Sequence, residues 1–394
     1  MRPSLPYQWQ LKGNYLTGIT LERWWPLLQQ NQFQIAPAYW YRAGAITLTS
    51  GLSTLLSWIE SQRYDRAIAA VKLPEDPIFI LGHWRSGTTL LHELLALDTE
   101  HLAFPNTFQT MSPKTFLLTE KLWTRWFAGL VPKQRPMDNM SLGFHSPQED
   151  ELALSLMTGQ SYYLAFSFPQ AEKYYERYLT LQDLSPKERQ QWQESLQWLL
   201  QKLTFKYRRR LVLKSPPHTA RIRLLLELFP RARFIHIHRH PYRVFQSMQH
   251  YFATAGWRTY LQKPNLQDID SGILRRYQIL YDAYFAQKDL IPAGQFCDVR
   301  FSDLEQDPIQ QVQTIYRTLG LPYSETFDTR LQGSLATRQG YRKNTFLPLE
   351  PATKQQIYQA WQRAFSTWGY AVEGEKSTPY TASCSEPEIT ETAN

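Results

Sequence analysis

Residues 78–90, Ile-Phe-Ile-Leu-Gly-His-Trp-Arg-Ser-Gly-Thr-Thr-Leu, have the types and order needed to bind an anion. An apolar run of strand type enters a short loop. The loop ends in Gly87-Thr88-Thr89, and an apolar helical pattern follows. A loop between a buried strand tip and a helix start offers backbone N–H groups and the positive end of the helix dipole to a phosphate. Gly82 and Gly87 keep the spacing of the triphosphate loop GxxxxGK[ST], but Thr88 stands where that motif has its lysine. The loop suits a phosphate and does not suit a magnesium-bound triphosphate.

Two further segments follow the same plan. Lys214-Ser215-Pro216-Pro217-His218 comes after the apolar Leu211-Val212-Leu213. Arg239-His240-Pro241 comes after Arg233 to Ile237, and Ser247 lies eight residues beyond Arg239. Each delivers cationic or hydroxyl side chains at the C-terminal end of a short strand, where parallel sheets bind ligands.

The elements that must position these groups alternate strand, helix, strand, helix. The pattern predicts an α/β fold with a P-loop-like central parallel sheet flanked by helices. Strands are expected at 78–81, 211–213, 233–237 and 295–300. Helices are expected from Thr88, over 219–229 as a crossover, from Pro241, over 272–287, over 308–319 with a stop at Gly320, and over 352–367. Ser146-Pro147-Gln148-Glu149 and Ser185-Pro186-Lys187-Glu188 both read as helix starts closed by a capping box. Residues 1–73 read as a helical N-terminal extension packed on the core. Residues 74–370 form the α/β domain, and 371–394 read as a disordered tail. The stretch 99–145, with Pro105, Pro113, Pro132 and Pro136, is expected to be irregular and to line a site.

Taken together and in order, the three segments resemble the PAPS-dependent sulfotransferases, in the bacterial-type branch that opens Gly-His-Trp-Arg-Ser-Gly-Thr-Thr. The resemblance covers residues 76–320. It implies transfer of a sulfuryl group from PAPS, 3′-phosphoadenosine 5′-phosphosulfate, to a hydroxyl or, less readily, an amine, by direct in-line displacement that leaves PAP. It places Arg85, Ser86, Gly87, Thr88 and Thr89 on the 5′-phosphosulfate, Lys214 on the transferring group, and Arg239 with Ser247 on the 3′-phosphate. Phe301-Ser302-Asp303-Leu304 with Asp307-Pro308 resembles the family's Tyr-Glu-Asp-Leu…Asp-Pro element, departing at Phe301 and Ser302. Arg338-Gln339-Gly340 resembles a closing Arg-Lys-Gly stretch, which puts Arg338 and Gly340 on the cofactor; Arg342 and Lys343 compete for that role.

The chemistry fits the charges. Breaking the sulfur–oxygen bond leaves negative charge on the 5′-phosphate. Arg85, Lys214 and the helix start at Thr88 can meet it, each charge-assisted bond being worth about 1.5–3 kcal/mol. A sulfuryl group carries less charge than a phosphoryl group, so no metal is called for. The acceptor's proton needs a base. His218 is one candidate, although family members place the histidine two residues after the lysine, where Pro216 stands. The run Glu149-Asp150-Glu151 is the other, with Glu149 and Glu151 on different helix faces. His145 is a further candidate, and His92, among leucines, reads as a core histidine. The rivals are a triphosphate-dependent kinase and a noncatalytic nucleotide-binding or membrane-peripheral protein that keeps the fold.

Composition narrows the partners. A net charge of +8 favours anionic ligands. No zinc-finger, RNA-binding or basic-helix pattern appears, so nucleic acid is not expected. The load of 13 Trp, 23 Tyr and 20 Phe, dense in 99–170, suits an apolar, lipid-like or ring-bearing acceptor. Cys297 and Cys384 suggest neither a disulfide framework nor a metal cluster, and a reducing, cytoplasmic setting is expected. Trp24, Trp25, Trp40, Tyr41 and Trp58 leave peripheral membrane contact open for the N-terminal region.

Overall fold

The computed structural model describes residues 14–126, 143–337 and 344–372. Arg338, Gly340, Arg342, Lys343 and all but the first two residues of the tail 371–394 lie outside them. Five strands form one parallel sheet: β1 (Ile78–Leu81), β2 (Leu102–Ala103), β3 (Arg210–Lys214), β4 (Arg233–His238) and β5 (Phe296–Arg300). Their order is β2-β3-β1-β4-β5. Ile80 pairs with Lys214 on one side of β1 and with Ile235 on the other. The first strand is therefore central, and the two that follow it with cationic tips flank it. That is the place where the winding direction of such a sheet changes and ligands bind.

Along the chain, α1 (Leu21–Gln30) and α2 (Trp40–Ala69) precede the sheet, and α3 (Thr88–Leu95) follows β1. Next come α4 (Thr107–Met111), α5 (Phe116–Trp126), α6 (Asp150–Thr158), α7 (Glu172–Tyr175), α8 (Arg177–Thr180) and α9 (Pro186–Tyr207). A 3-10 turn at Pro216–Ala220 and α10 (Ile222–Leu228) carry the chain from β3 to β4. The remainder is α11 (Pro241–Thr254), α12 (Ile269–Gln287), α13 (Phe301–Gln306), α14 (Pro308–Thr318), α15 (Glu325–Thr337) and α16 (Pro351–Trp368).

Successive strand residues point to opposite faces, and both faces are covered, so the strands are apolar throughout. Ile78, Ile80, Val212, Ile235 and Ile237 pack with Leu91, Leu94 and Ile315 on one face. Phe79, Leu81, Leu213 and Phe234 pack on the other, in a cluster that also holds Leu16, Ile19, Trp24 and Ile46. The inner sides of α1 and α2 thus belong to the main core. Arg42, itself buried, donates to the carbonyls of Trp257 (3.0 Å) and Tyr260 (2.9 Å). Deeper, Glu60 of α2 pairs with Lys202 of α9 and accepts from the Leu118 N–H at 2.8 Å. Burial pushes the Glu60 carboxyl up and the Lys202 ammonium down to about 8, so each charge depends on its partner. Glu60→Ala should cost about 3–5 kcal/mol, because it strands a buried ammonium; Lys202→Met with Glu60→Leu should recover much of that loss in a denaturant titration.

Two expectations need correction. The stretch 99–145 is not wholly irregular, since β2, α4 and α5 lie within it. Asn106 closes a capping box with Gln109 at the start of α4, although Pro105 precedes it. The helix expected from Ser146 starts instead at Asp150, with Glu149 in extended backbone as its N-cap. Residues 146–148 pair with 105–107: Thr107 N–H donates to Ser146 O and Gln148 N–H to Pro105 O, both at 2.9 Å. The Ser146 hydroxyl accepts from Gly143 N–H. Tertiary pairing has overridden a local capping signal. The parallel signal at Ser185 does form, with Ser185 Oγ accepting from Glu188 N–H and Glu188 reaching back to Ser185 N–H.

Candidate active site

The loop after β1 contains three left-handed residues in a span of six: Gly82 (φ 142°), Arg85 (φ 69°) and Gly87 (φ 110°). A Cβ at Gly82 would overlap the Ile237 carbonyl, and one at Gly87 would overlap the Phe301 ring. Both glycines are needed for close approach as well as for conformation. Gly82 N–H donates to Thr219 Oγ1 at 2.7 Å, which ties this loop to the turn after β3. Ser86 is fully buried and its hydroxyl has no hydrogen-bond partner, so a donor is held ready inside the loop. These features fit an anion seated on the loop at the start of α3. Gly87→Ala should weaken PAP binding by roughly tenfold or more, since it adds left-handed strain to the clash with Phe301. Isothermal titration measures it, and unchanged affinity would remove the cradle assignment.

Arg85 donates from Nε to Ser247 Oγ at 2.9 Å. Arg239 reaches the Arg85 carbonyl from Nη1 at 3.5 Å, and its guanidinium lies 4.2 Å from the centre of the Phe301 ring. The first and third segments are thus in contact. Phe301 braces both, touching Arg239 and closing off the space beside Gly87. In the sequence Phe301 marks only a departure from the family's Tyr-Glu-Asp-Leu pattern, and no local signal points to its place beside both Gly87 and Arg239.

The second segment meets the first through Lys214 and the acidic run through Ser215. Lys214 Nζ lies 2.5 Å from Glu149 Oε1 and 3.4 Å from Thr89 Oγ1. Ser215 Oγ accepts from Glu151 N–H at 2.9 Å and donates to Asp150 Oδ1 at 3.1 Å. The three acidic residues then diverge. Glu151 is fully buried; Arg221 grips it with two bonds, 2.6 and 3.1 Å, and Ser161 adds a third at 2.7 Å. Asp150, also fully buried, lies 2.6 Å from His218 Nε2. Burial opposes its charge, but His218 and Ser215 outweigh that and hold the Asp150 carboxyl low. Glu149 alone keeps some exposure, 17% of its side chain. Its second oxygen accepts from the Tyr163 hydroxyl, which itself accepts from Trp84 Nε1 at 3.0 Å.

The histidines separate in the same way. His218 is 0% exposed and stands edge-on to Phe79 and Trp192. His92 is buried behind the loop, and burial, aided by Lys214, pushes it down to about 3. His83, between the glycines, is likewise pushed down to about 3 by burial. All imidazoles with such shifts are neutral near pH 7. His145 is exposed to solvent. Among the described residues no group of three His, Cys, Asp or Glu side chains could hold a metal ion.

Three strand tips thus bring their cations and hydroxyls together, beside the Glu149 carboxylate at the start of α6, in an arrangement suited to a transferase of anionic groups. The profile of the Sulfotransferase family matches residues 77–325, and the chain belongs to that family. It is a PAPS-dependent sulfotransferase. The chain is 36% identical over 358 residues to omega-hydroxy-beta-dihydromenaquinone-9 sulfotransferase Stf3 of Mycobacterium bovis, covering 90% of each. The Stf3 protein of Mycobacterium tuberculosis matches to the same extent. Among solved structures, sulfotransferase STF9 from Mycobacterium avium shares 17% identity with a TM-score of 0.62, over 91% of this chain and 98% of that one. STF1 from Mycobacterium tuberculosis shares 20% identity with a TM-score of 0.60, over 89% and 93%. The two structures support the fold.

Proposed function

We propose that the enzyme sulfates the hydroxyl of a lipid-like alcohol, with Glu149 as the base. The loop 85–89 binds the 5′-phosphosulfate of PAPS, and Arg239 with Ser247 binds the 3′-phosphate. The observation that carries this reading is the Arg85–Ser247 bond, which holds the loop after β1 and the helix after β4 close enough to share one ligand. The acceptor oxygen attacks sulfur as its proton passes to a Glu149 oxygen. The bond from sulfur to the bridging oxygen breaks, and its electron pair stays on the 5′-phosphate of PAP. Lys214, shared between Glu149 and Thr89, stands where it can follow the charge from the entering to the leaving side. Glu149 is preferred to His218, Asp150 and Glu151 because it is partly exposed and they are enclosed by structural partners. No metal is invoked, because Arg85, Lys214 and the loop N–H groups can supply the positive charge.

A lipid-like acceptor is supported by the name of the Stf3 relative, an enzyme of a hydroxylated menaquinone. It is also supported by the rings beside the Glu149 contact, where Trp84, Tyr162, Tyr163 and Phe166 pack with Tyr251 and Phe252. Such an acceptor would be met at a membrane surface from the cytoplasmic side. Among the described residues no helix is long and apolar enough to cross a membrane. Titration with PAP and with AMP tests the cofactor reading. PAP should bind roughly tenfold or more tighter, the worth of one or two charge-assisted bonds. Equal affinities would remove it. Labelled transfer into long-chain alcohols, against short polar ones, tests the acceptor.

A further inference from the structure

Most of the large apolar side chains left exposed among the described residues lie on α1, α2, α5 and the segment joining the first two. On α2 they are Trp40 (64%) at its first position, then Leu48 (80%), Leu52, Leu55, Trp58 (63%) and Ile59. The spacing 48, 52, 55, 59 is that of one helix face, and Ile46, Ser50, Glu60 and Ile68 are buried on the other. From 43 to 59 the helix carries no charged residue. The flanking Arg42 and Glu60 are both turned inward. A row of this kind, about 16 Å long at 1.5 Å per residue, is not the scatter of single apolar residues found on ordinary surfaces.

The charges that border the row are mainly basic, and Glu22, which α1 brings near Thr54, is paired with Lys114. Arg63 and Arg66 are exposed one to two turns beyond it, and the neighbouring Asp65 is engaged by Ser61. Alongside, α5 joins α2 through the Leu118–Glu60 bond. It exposes Leu122 and Trp126 (72%), each next in sequence to a basic residue, Lys121 and Arg125, while its only acid, Glu120, is buried against Lys206. On α1, Trp25 stands half exposed, edge-on to Phe33 at 5.4 Å. Tryptophans at a boundary, an apolar row and a basic margin are the marks of an interfacial helix on anionic lipid. A second copy of the chain is a poorer occupant, because a two-fold contact would bring like-charged margins together.

We propose that α2 and the end of α5 dock on an anionic bilayer. Leu48, Leu52, Leu55, Trp58 and Trp126 enter the acyl boundary, and Arg63, Arg66, Lys121 and Arg125 meet the phosphates. The proposal rests on the lipid-acceptor reading for the purpose of this contact, and on the surface itself for its place.

Flotation of the full chain with vesicles tests it, using phosphatidylcholine with about one-third phosphatidylglycerol against phosphatidylcholine alone. The wild type should float with the anionic vesicles and shift its tryptophan emission to the blue. Leu52→Glu with Leu55→Glu should weaken binding by roughly tenfold or more. Arg63→Gln should weaken it about fivefold, most strongly at low salt. Both variants should keep PAP affinity and the sulfation rate of a short soluble alcohol, which shows that they are folded. Wild type that stays with the soluble fraction, or variants that float equally well, overturns the docking surface. So does a wild-type dimer that the double variant splits and that ignores vesicles. A chain that floats but sulfates short polar and long-chain alcohols equally well would keep the docking surface and remove the lipid-acceptor reading.

Discussion

Glu149→Gln is expected to lower kcat by about 10²–10⁴-fold while PAP affinity changes little. The amide keeps the size of the side chain and can still accept from Tyr163, but it cannot take a proton. Single-turnover rates and a PAP titration on the same protein separate the two effects. Asp150→Asn and Glu151→Gln should behave differently. Each breaks a buried pair, with His218 or Arg221, and should lower stability before it touches chemistry. A Glu149→Gln enzyme with wild-type turnover, beside a folded His218→Gln enzyme without it, would move the base to His218.

Arg239→Ala is expected to weaken PAP binding by roughly 10- to 150-fold and to abolish the preference for PAP over AMP. Lys214→Ala should leave PAP affinity less affected and slow turnover by about 10²–10³-fold, the scale seen when one donor to a developing charge is removed. The contrast follows from position. Arg239 lies against Phe301 and Arg85 at the β4 side, whereas Lys214 lies between Glu149 and Thr89 at the β3 side. Because Arg239 also supports the Arg85 backbone, Phe301→Leu serves as a control. It removes the ring beneath the guanidinium but leaves the charge, and should cost much less than the loss of the arginine. Equal losses of affinity for Arg239→Ala and Lys214→Ala, with no separate effect on rate, would contradict this division.

The parallel strands were legible because both of their faces are covered, which makes them short apolar runs with polar tips. The cationic groups were legible because those tips carry them. Strand β2 was not, since two residues, Leu102 and Ala103, leave no pattern. Helices α4 and α5 were hidden by prolines that break periodicity without breaking the fold. The start of α6 was misplaced because Ser146 and Glu149 satisfy a local rule that the pairing with Asn106 defeats. The choice among Glu149, Asp150 and Glu151 could not be read locally either. It depends on Lys214, His218 and Arg221, more than sixty positions away. Tyr163 and Trp84 belonged to an aromatic-rich sequence with nothing to mark them as partners of a carboxylate.

The placing of β1 between β3 and β4 has a consequence for which nucleotides can be used. Neighbouring strands lie about 4.8 Å apart, so two outer tips separated by one central strand stand at a gap of roughly 10 Å. Hydrogen-bonded sheets do not stretch, and the gap works as a rigid caliper. On the proposed assignment it gauges the reach from the transferring sulfuryl group at the β3 tip to the 3′-phosphate at the β4 tip, with the 5′-phosphate on the β1 loop between them, and tells positional isomers apart by length, before any contact with the adenine is made.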